Sequence, residues 1–362
     1  MTTTRRYESI QVLRALAALA VVGFHAAGDV ALYGWTSHFF SSISRYGDRG
    51  VDVFFVISGF VIAMVSYGEP PGFRSAGKFM TARIARVVPL YWVLTAVFVV
   101  SFAILPLVFS HWQIGNTRVS LWHVVTSFLF VPSLNWAGFI EPLLFVGWSL
   151  NYEAWFYLVF AAAMCVTRRP LVAVAAFLCF TSLLRLAHGS GVAFMFYTNP
   201  IVLEFVAGCC VGTYYARGKR ISLSTALVIL AGVIALLVLW APTPGEGNRP
   251  FVSGLPALAI VLVALALETK IRWSSVLSTL GDASYSIYLT HVLTLPFVMK
   301  LLQVADRQHA LPGDAIYVVA VAGSALVGLA CHRLLERPLN RSAGRWLTSR
   351  ADRWMAERTT VA

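Results

Sequence analysis

The sequence predicts an all-α polytopic membrane protein, a bundle of about ten transmembrane helices with both termini in the cytoplasm. Composition is the first observation behind this. Of 362 residues, 58% are hydrophobic and 12% charged, against roughly 25% charged in soluble domains, and mean hydropathy is +0.74. The second is the count of apolar runs long enough to cross a bilayer at about 20 residues each. The third is charge placement. With ten spans and the termini inside, twenty basic residues fall in inner segments, six in outer segments and two (Arg14, Arg185) within spans, which accounts for all 28. Such a bias in short loops fixes orientation. It also explains the net charge of +12 as topology, so no nucleic-acid partner is expected.

In chain order the runs are 9–30, 50–67, 87–110, 143–166, 170–187, 193–215, 223–241, 252–268, 281–301 and 314–335. Arg5 and Arg6 before the first run, with Ala26-Ala27-Gly28 near its end, mimic a signal peptide. Arg14 inside the run and the polytopic chain behind it point to an uncleaved span. The run 121–133 holds His123, Ser127 and Pro132 and is too short to span, so it reads as re-entrant or interfacial. Gly208 and Gly212 in the sixth run form a small-xxx-small step for close helix packing. The five cysteines all fall in apolar runs and read as buried free thiols. Residues 1–340 form one integral domain. The basic stretch 341–362, with Trp346 and Trp354, is a cytoplasmic tail lying on membrane lipids.

The candidate chemistry begins in the first run, RALAALAVVGFH from Arg14 to His25. At 100° per residue, eleven residues make three turns plus about 20°, so both side chains share one face about 16 Å apart. Ionisable groups within a span are costly and mark a polar pathway or site. Asp52, at the outer end of the second run, and Glu153, in the fourth, bring carboxylates to the same outer half. An imidazole with nearby carboxylates suits a general base; a structural polar cluster or a proton relay would use the same groups. Lys78, Arg83 and Arg86 form a cationic inner rim below the third run, suited either to a phosphorylated ligand or to lipid headgroups. In the ninth, Ser284, Tyr285, Tyr288 and His291 make a polar stripe at helical spacing, for substrate or for helix packing. Trp112, Trp122, Trp136 and Trp148 suit an interfacial belt or stacking against a sugar. No metal-ligand spacing is present, so no metal is expected.

These motifs carry a resemblance. Arg-x10-His, GVDVFFVISGF, RIARVVPLYW, WSLNYEAWFYL, GDASYSIYLTH and the closing Glu336-Arg337-Pro338 occur in that order. The chain resembles the stand-alone form of the acyltransferase-3 family over about residues 8–338. That family O-acylates exopolysaccharides, O-antigens, nodulation factors and some macrolides at the bacterial inner membrane. The resemblance implies that His25 is the essential histidine and Arg14 its paired arginine. It further implies that Asp52, Arg83, Arg86, Trp148, Ser149, Glu153, Tyr285, Tyr288 and His291 lie in functional motifs.

The expectation is therefore transfer of an acyl group, acetyl foremost, from cytoplasmic acyl-CoA to a hydroxyl of a periplasm-facing or lipid-linked glycan. No cofactor is held permanently. His25 with Asp52 and Glu153 would be catalytic. Arg14, Arg83 and Arg86 would bind the donor, and Trp148, Ser149, Tyr285, Tyr288 and His291 the substrate. Direct transfer and an acyl-histidine intermediate both stay open. The alternatives are a flippase of a lipid-linked sugar, using the buried charges as a proton relay, and a structural partner in polysaccharide synthesis. Against the flippase, no inverted repeat of the transporter kind is visible. Oligomeric state and the acceptor sugar are not written in the sequence.

Overall fold

The computed structural model describes residues 6–108, 120–240, 245–308 and 310–359. Trp112, Arg118 and the side chain of Trp354 lie outside the described residues. In order, the helices are α1 (Glu8–Leu32), α2 (Phe39–Ser44), α3 (Gly50–Ser66), α4 (Phe73–Val108), α5 (Leu121–Phe128), α6 (Trp148–Val166), α7 (Pro170–Leu184), α8 (Val192–Tyr197), α9 (Leu203–Ala216), α10 (Leu223–Trp240), α11 (Leu255–Leu267), α12 (Ser275–Asp282), α13 (Ser284–Ala305), α14 (Gly313–Cys331) and α15 (Arg337–Thr359). Ten helical stretches among the described residues are long and apolar enough to cross a membrane, matching the ten apolar runs. The third starts earlier than the apolar run, at Phe73 rather than 87.

The chain divides into two compact units, residues 1–68, 175–183 and 199–331, and residues 69–174, 184–198 and 332–362. In the first unit α1 is central and packs on two sides. Ile10 and Leu13 join Val56, Phe60, Val211, Val261 and Leu265 of α3, α9 and α11. Ala18, Val22, Ala26 and Val30 join Ile287, Leu295, Met299, Ile316 and Ala320 of α13 and α14. The alanines keep α1 slim enough for neighbours on both sides. Its first backbone N–H groups, which have no partner within the helix, are taken by the Glu268 carboxylate, from Glu8 at 3.0 Å and Ser9 at 2.9 Å. Exposed Leu227, Val228, Ile234, Val238 and Leu239 on α10 need an apolar surrounding, as lipid provides.

Helices α3 and α9 pack backbone against backbone. A Cβ on Gly208 would overlap the carbonyl of Val56, one on Gly59 the carbonyl of Phe205, and one on Gly212 the carbonyl of Phe60. The small-xxx-small step is a backbone-to-backbone contact, as the sequence suggests. Gly208→Val should therefore lower stability by about 1–3 kcal/mol through overpacking. A thermal midpoint of the purified variant equal to wild type would show that the helices can part without cost.

In the second unit α4 and α6 lie side by side and antiparallel, with the Gly72 N–H donating to Met164 at 2.8 Å beside the end of α6. The short segment expected to be re-entrant forms α5, capped by Ser120, which accepts from the His123 N–H at 3.1 Å. It is pinned against the middle of α4: Tyr91 donates to Ser127 O at 3.1 Å and Trp92 to Phe128 O at 2.8 Å. His123 Nδ1 lies 3.0 Å from Ser133 Oγ, and burial holds its pKa below the ordinary histidine value. The Glu336-Arg337-Pro338 motif also has a local role. Arg337 Nε donates to His332 Nε2 at 3.0 Å. Arginine cannot accept, so the His332 proton sits on Nδ1 and is donated to Glu336 at 2.7 Å.

Candidate active site

His25 is half-buried on α1, one residue beyond Phe24, whose ring packs edge-on at 5.2 Å. Its second ring neighbour comes from α13. His291 is fully buried and stacks on His25 at 5.2 Å with 29° between planes. Tyr288 is buried one turn earlier, 6.0 Å from the His291 ring and 6.0 Å from Phe54. The stripe on α13 therefore faces α1, and Tyr285 is its half-buried end. Arg14 stands three helical turns from His25 on the same continuous helix and donates to Gln11 at 3.1 Å.

Asp52 is wholly buried and binds a group the sequence did not single out. Arg249 donates to it twice, Nε to Oδ1 at 3.0 Å and Nη2 to Oδ2 at 2.9 Å. The pair is planar and bidentate, the geometry that suits guanidinium to carboxylate. Both Asp52 oxygens thus go to Arg249 rather than to an imidazole. Glu204 of α9, 3% exposed, lies beside them. Burial opposes the Arg249 charge, yet Asp52, Asp48 and Glu204 hold its pKa above the ordinary arginine value. Asp48 stands within electrostatic reach of the His25 ring. Close glycine contacts bring this turn to α1, since a Cβ on Gly47 or Gly50 would meet the carbonyls of Ala20 or Ala17.

A pocket of about 390 Å³ opens here, lined by Phe24, Arg45, Tyr46, Asp48, Arg49 and Arg249 among others. It adjoins His25 through Phe24.

The other expected residues lie in the second unit. Arg83 is ten residues into α4, about 15 Å from its start. Its guanidinium sits over Phe79 at 5.7 Å and Tyr157 at 6.0 Å. It therefore stands part-way along the α4–α6 pair, because the polar residues 73–86 are part of the same helix. Arg86 is exposed. Glu153 accepts from the Tyr157 hydroxyl one turn on. Ser149 is buried and donates to Val146 O at 3.1 Å, closing the turn that starts α6. Trp148 packs edge-on against Tyr152 at 6.0 Å. Arg83, Asn151, Trp155, Tyr157 and Tyr197 provide the polar lining of a mostly apolar cavity of about 210 Å³. The Asn151 Oδ1 is buried with no hydrogen-bond partner among the described residues.

Sequence reasoning passed over Arg249 and Glu204. Glu204 carried a usable signal, an acid inside an apolar run; Arg249 looked like one more outer-loop cation.

Residues 7–333 match the family described as Acyltransferase domain. The chain belongs to the acyltransferase-3 family. The chain is 35% identical over 329 residues to the exopolysaccharide production protein ExoZ of Rhizobium meliloti, covering 88% of this chain and 94% of ExoZ. It is 27% identical to acyltransferase MdmB of Streptomyces mycarofaciens, covering 94% and 93%. It is 23% identical to peptidoglycan O-acetyltransferase OatA of Listeria monocytogenes, covering 94% of this chain but 58% of OatA. No solved structure matches the chain. As an acyltransferase-3 member the protein is a multi-pass membrane acyltransferase.

Proposed function

We propose that this acyltransferase sits in the bacterial inner membrane and moves acetyl from cytoplasmic acetyl-CoA to a hydroxyl of a glycan on the outer side, free or lipid-linked. The observation that carries it is the half-exposed His25 imidazole on the central helix, stacked on buried His291 and packed against Phe24, which lines an arginine-bearing pocket. An imidazole so placed can accept the proton of an attacking hydroxyl. In the step, the sugar oxygen attacks the thioester carbonyl, the C–O bond forms and the C–S bond breaks. His25 takes the hydroxyl proton and returns it to the departing thiolate. His291 backs the ring that carries this charge, and Tyr285 and Tyr288 line the same face.

Arg83 and Arg86 bind the donor's phosphates, guanidinium being the side chain best suited to them. Supporting the glycan acceptor, ExoZ is named for exopolysaccharide production and OatA for peptidoglycan O-acetylation. Supporting Arg83 in donor binding, its cavity combines an apolar wall with a buried amide oxygen still open to a donor.

The test uses the full chain in nanodiscs with radiolabelled acetyl-CoA and bacterial exopolysaccharide. Label on the glycan with free CoA released is the expected result; no consumption of acetyl-CoA would overturn the reading. Arg83→Gln should weaken CoA binding about tenfold or more, the loss of one charged hydrogen bond, with the elution profile unchanged. Undiminished CoA binding would remove Arg83 from the donor site.

A further inference from the structure

Among the described residues, the pocket beside Phe24 carries more positive charge than its acids use. Of its three arginines, Arg249 is committed to Asp52 and lies 3.8 Å from Asp48. Arg45 is exposed, and the Arg49 guanidinium sits 4.4 Å over the Tyr46 ring. Among the described residues, neither Arg45 nor Arg49 forms an ion pair. Two guanidiniums thus border a cavity of about 390 Å³, within the range of small-molecule sites and roomier than a single phosphate needs. Around them stand groups suited to hydroxyls: the Asn248 amide, the Ser253 hydroxyl and the exposed Tyr46 ring.

The geometry points to an acidic saccharide as the acceptor, with a carboxylate of the glycan held by Arg45 and Arg49 and a neighbouring hydroxyl presented past Phe24 to His25. This rests on the acyltransfer reading above and on this end of α1 facing outward. A guanidinium fork binds a carboxylate bidentately, and Arg249, held by buried Asp52, gives the pocket a fixed wall. Lipid phosphate is the competing occupant. It would use the cations but leave the cavity and its hydroxyl partners without a role.

The test measures binding, so it does not depend on turnover. The full chain in nanodiscs of zwitterionic lipid is titrated with a glucuronate-containing oligosaccharide and with the same oligosaccharide after carboxyl reduction. The acidic probe should bind about tenfold tighter or more, and the preference should fade as salt is raised. Arg45→Gln with Arg49→Gln should bind both probes alike; Arg45→Gln alone, at an exposed position, should lose part of the preference. Equal binding of the two probes by wild type, or no binding of either, overturns the proposal. So does a preference that survives the double substitution. If the arginines hold lipid, the substitutions will matter only in discs containing phosphatidylglycerol, which also overturns it. Preferential binding without acyl transfer would sink the acyltransfer reading and leave the saccharide site standing.

Discussion

His25→Ala should lower acyl transfer by about 10²- to 10⁴-fold, the usual contribution of a positioned base, with folded yield unchanged. The side chain is half-buried, so truncation opens little sealed volume. His291→Ala is the informative companion. Its ring is fully buried and stacks on His25, so its removal should cost stability as well as rate. Measuring kcat and thermal midpoint for both variants separates the roles: rate alone falls for His25, both fall for His291. If His25→Ala kept transfer within about threefold of wild type, the base would have to be sought elsewhere. If it lost both fold and activity together, the residue would be structural.

The architecture was largely legible because membrane helices announce themselves by length and apolarity. The ten runs, the pinned 121–128 segment and the Gly208–Gly212 contact all follow from that rule and from the need to satisfy backbone groups. Arg14 and His25 on one continuous helix needed only the helical repeat. What the sequence hid is pairing over distance. Asp52 and Arg249 stand 197 positions apart, and nothing local in either marks the other. The start of α4 was hidden for a different reason. Apolarity finds the part of a helix that meets lipid, whereas the polar turns from Phe73 to Arg86 are helical without being apolar. That is why Arg83 proves to lie part-way along the helix pair. Glu204 was legible in principle, since an acid in a span needs a partner, but naming the partner required the fold.

Arg249→Ala should be the most destabilising single change in the first unit. It would leave Asp52, with no exposed surface, beside Glu204, 3% exposed, with their nearest cation gone. Breaking a buried pair from one side typically costs about 3–5 kcal/mol, enough to lower the yield of folded protein visibly. The cost arises from the stranded carboxylate rather than from any attraction lost to solvent. Asp52→Leu combined with Arg249→Met should therefore recover much of the thermal midpoint, because a buried ion pair exchanged for apolar groups is often neutral or better. A single variant as stable as wild type would mean that water reaches Asp52 and that the pair is a surface contact. Activity of the double variant then decides what the pair is for. Recovered fold with recovered transfer makes it a brace for the α3 turn against α1. Recovered fold without transfer places its charge in the chemistry around His25.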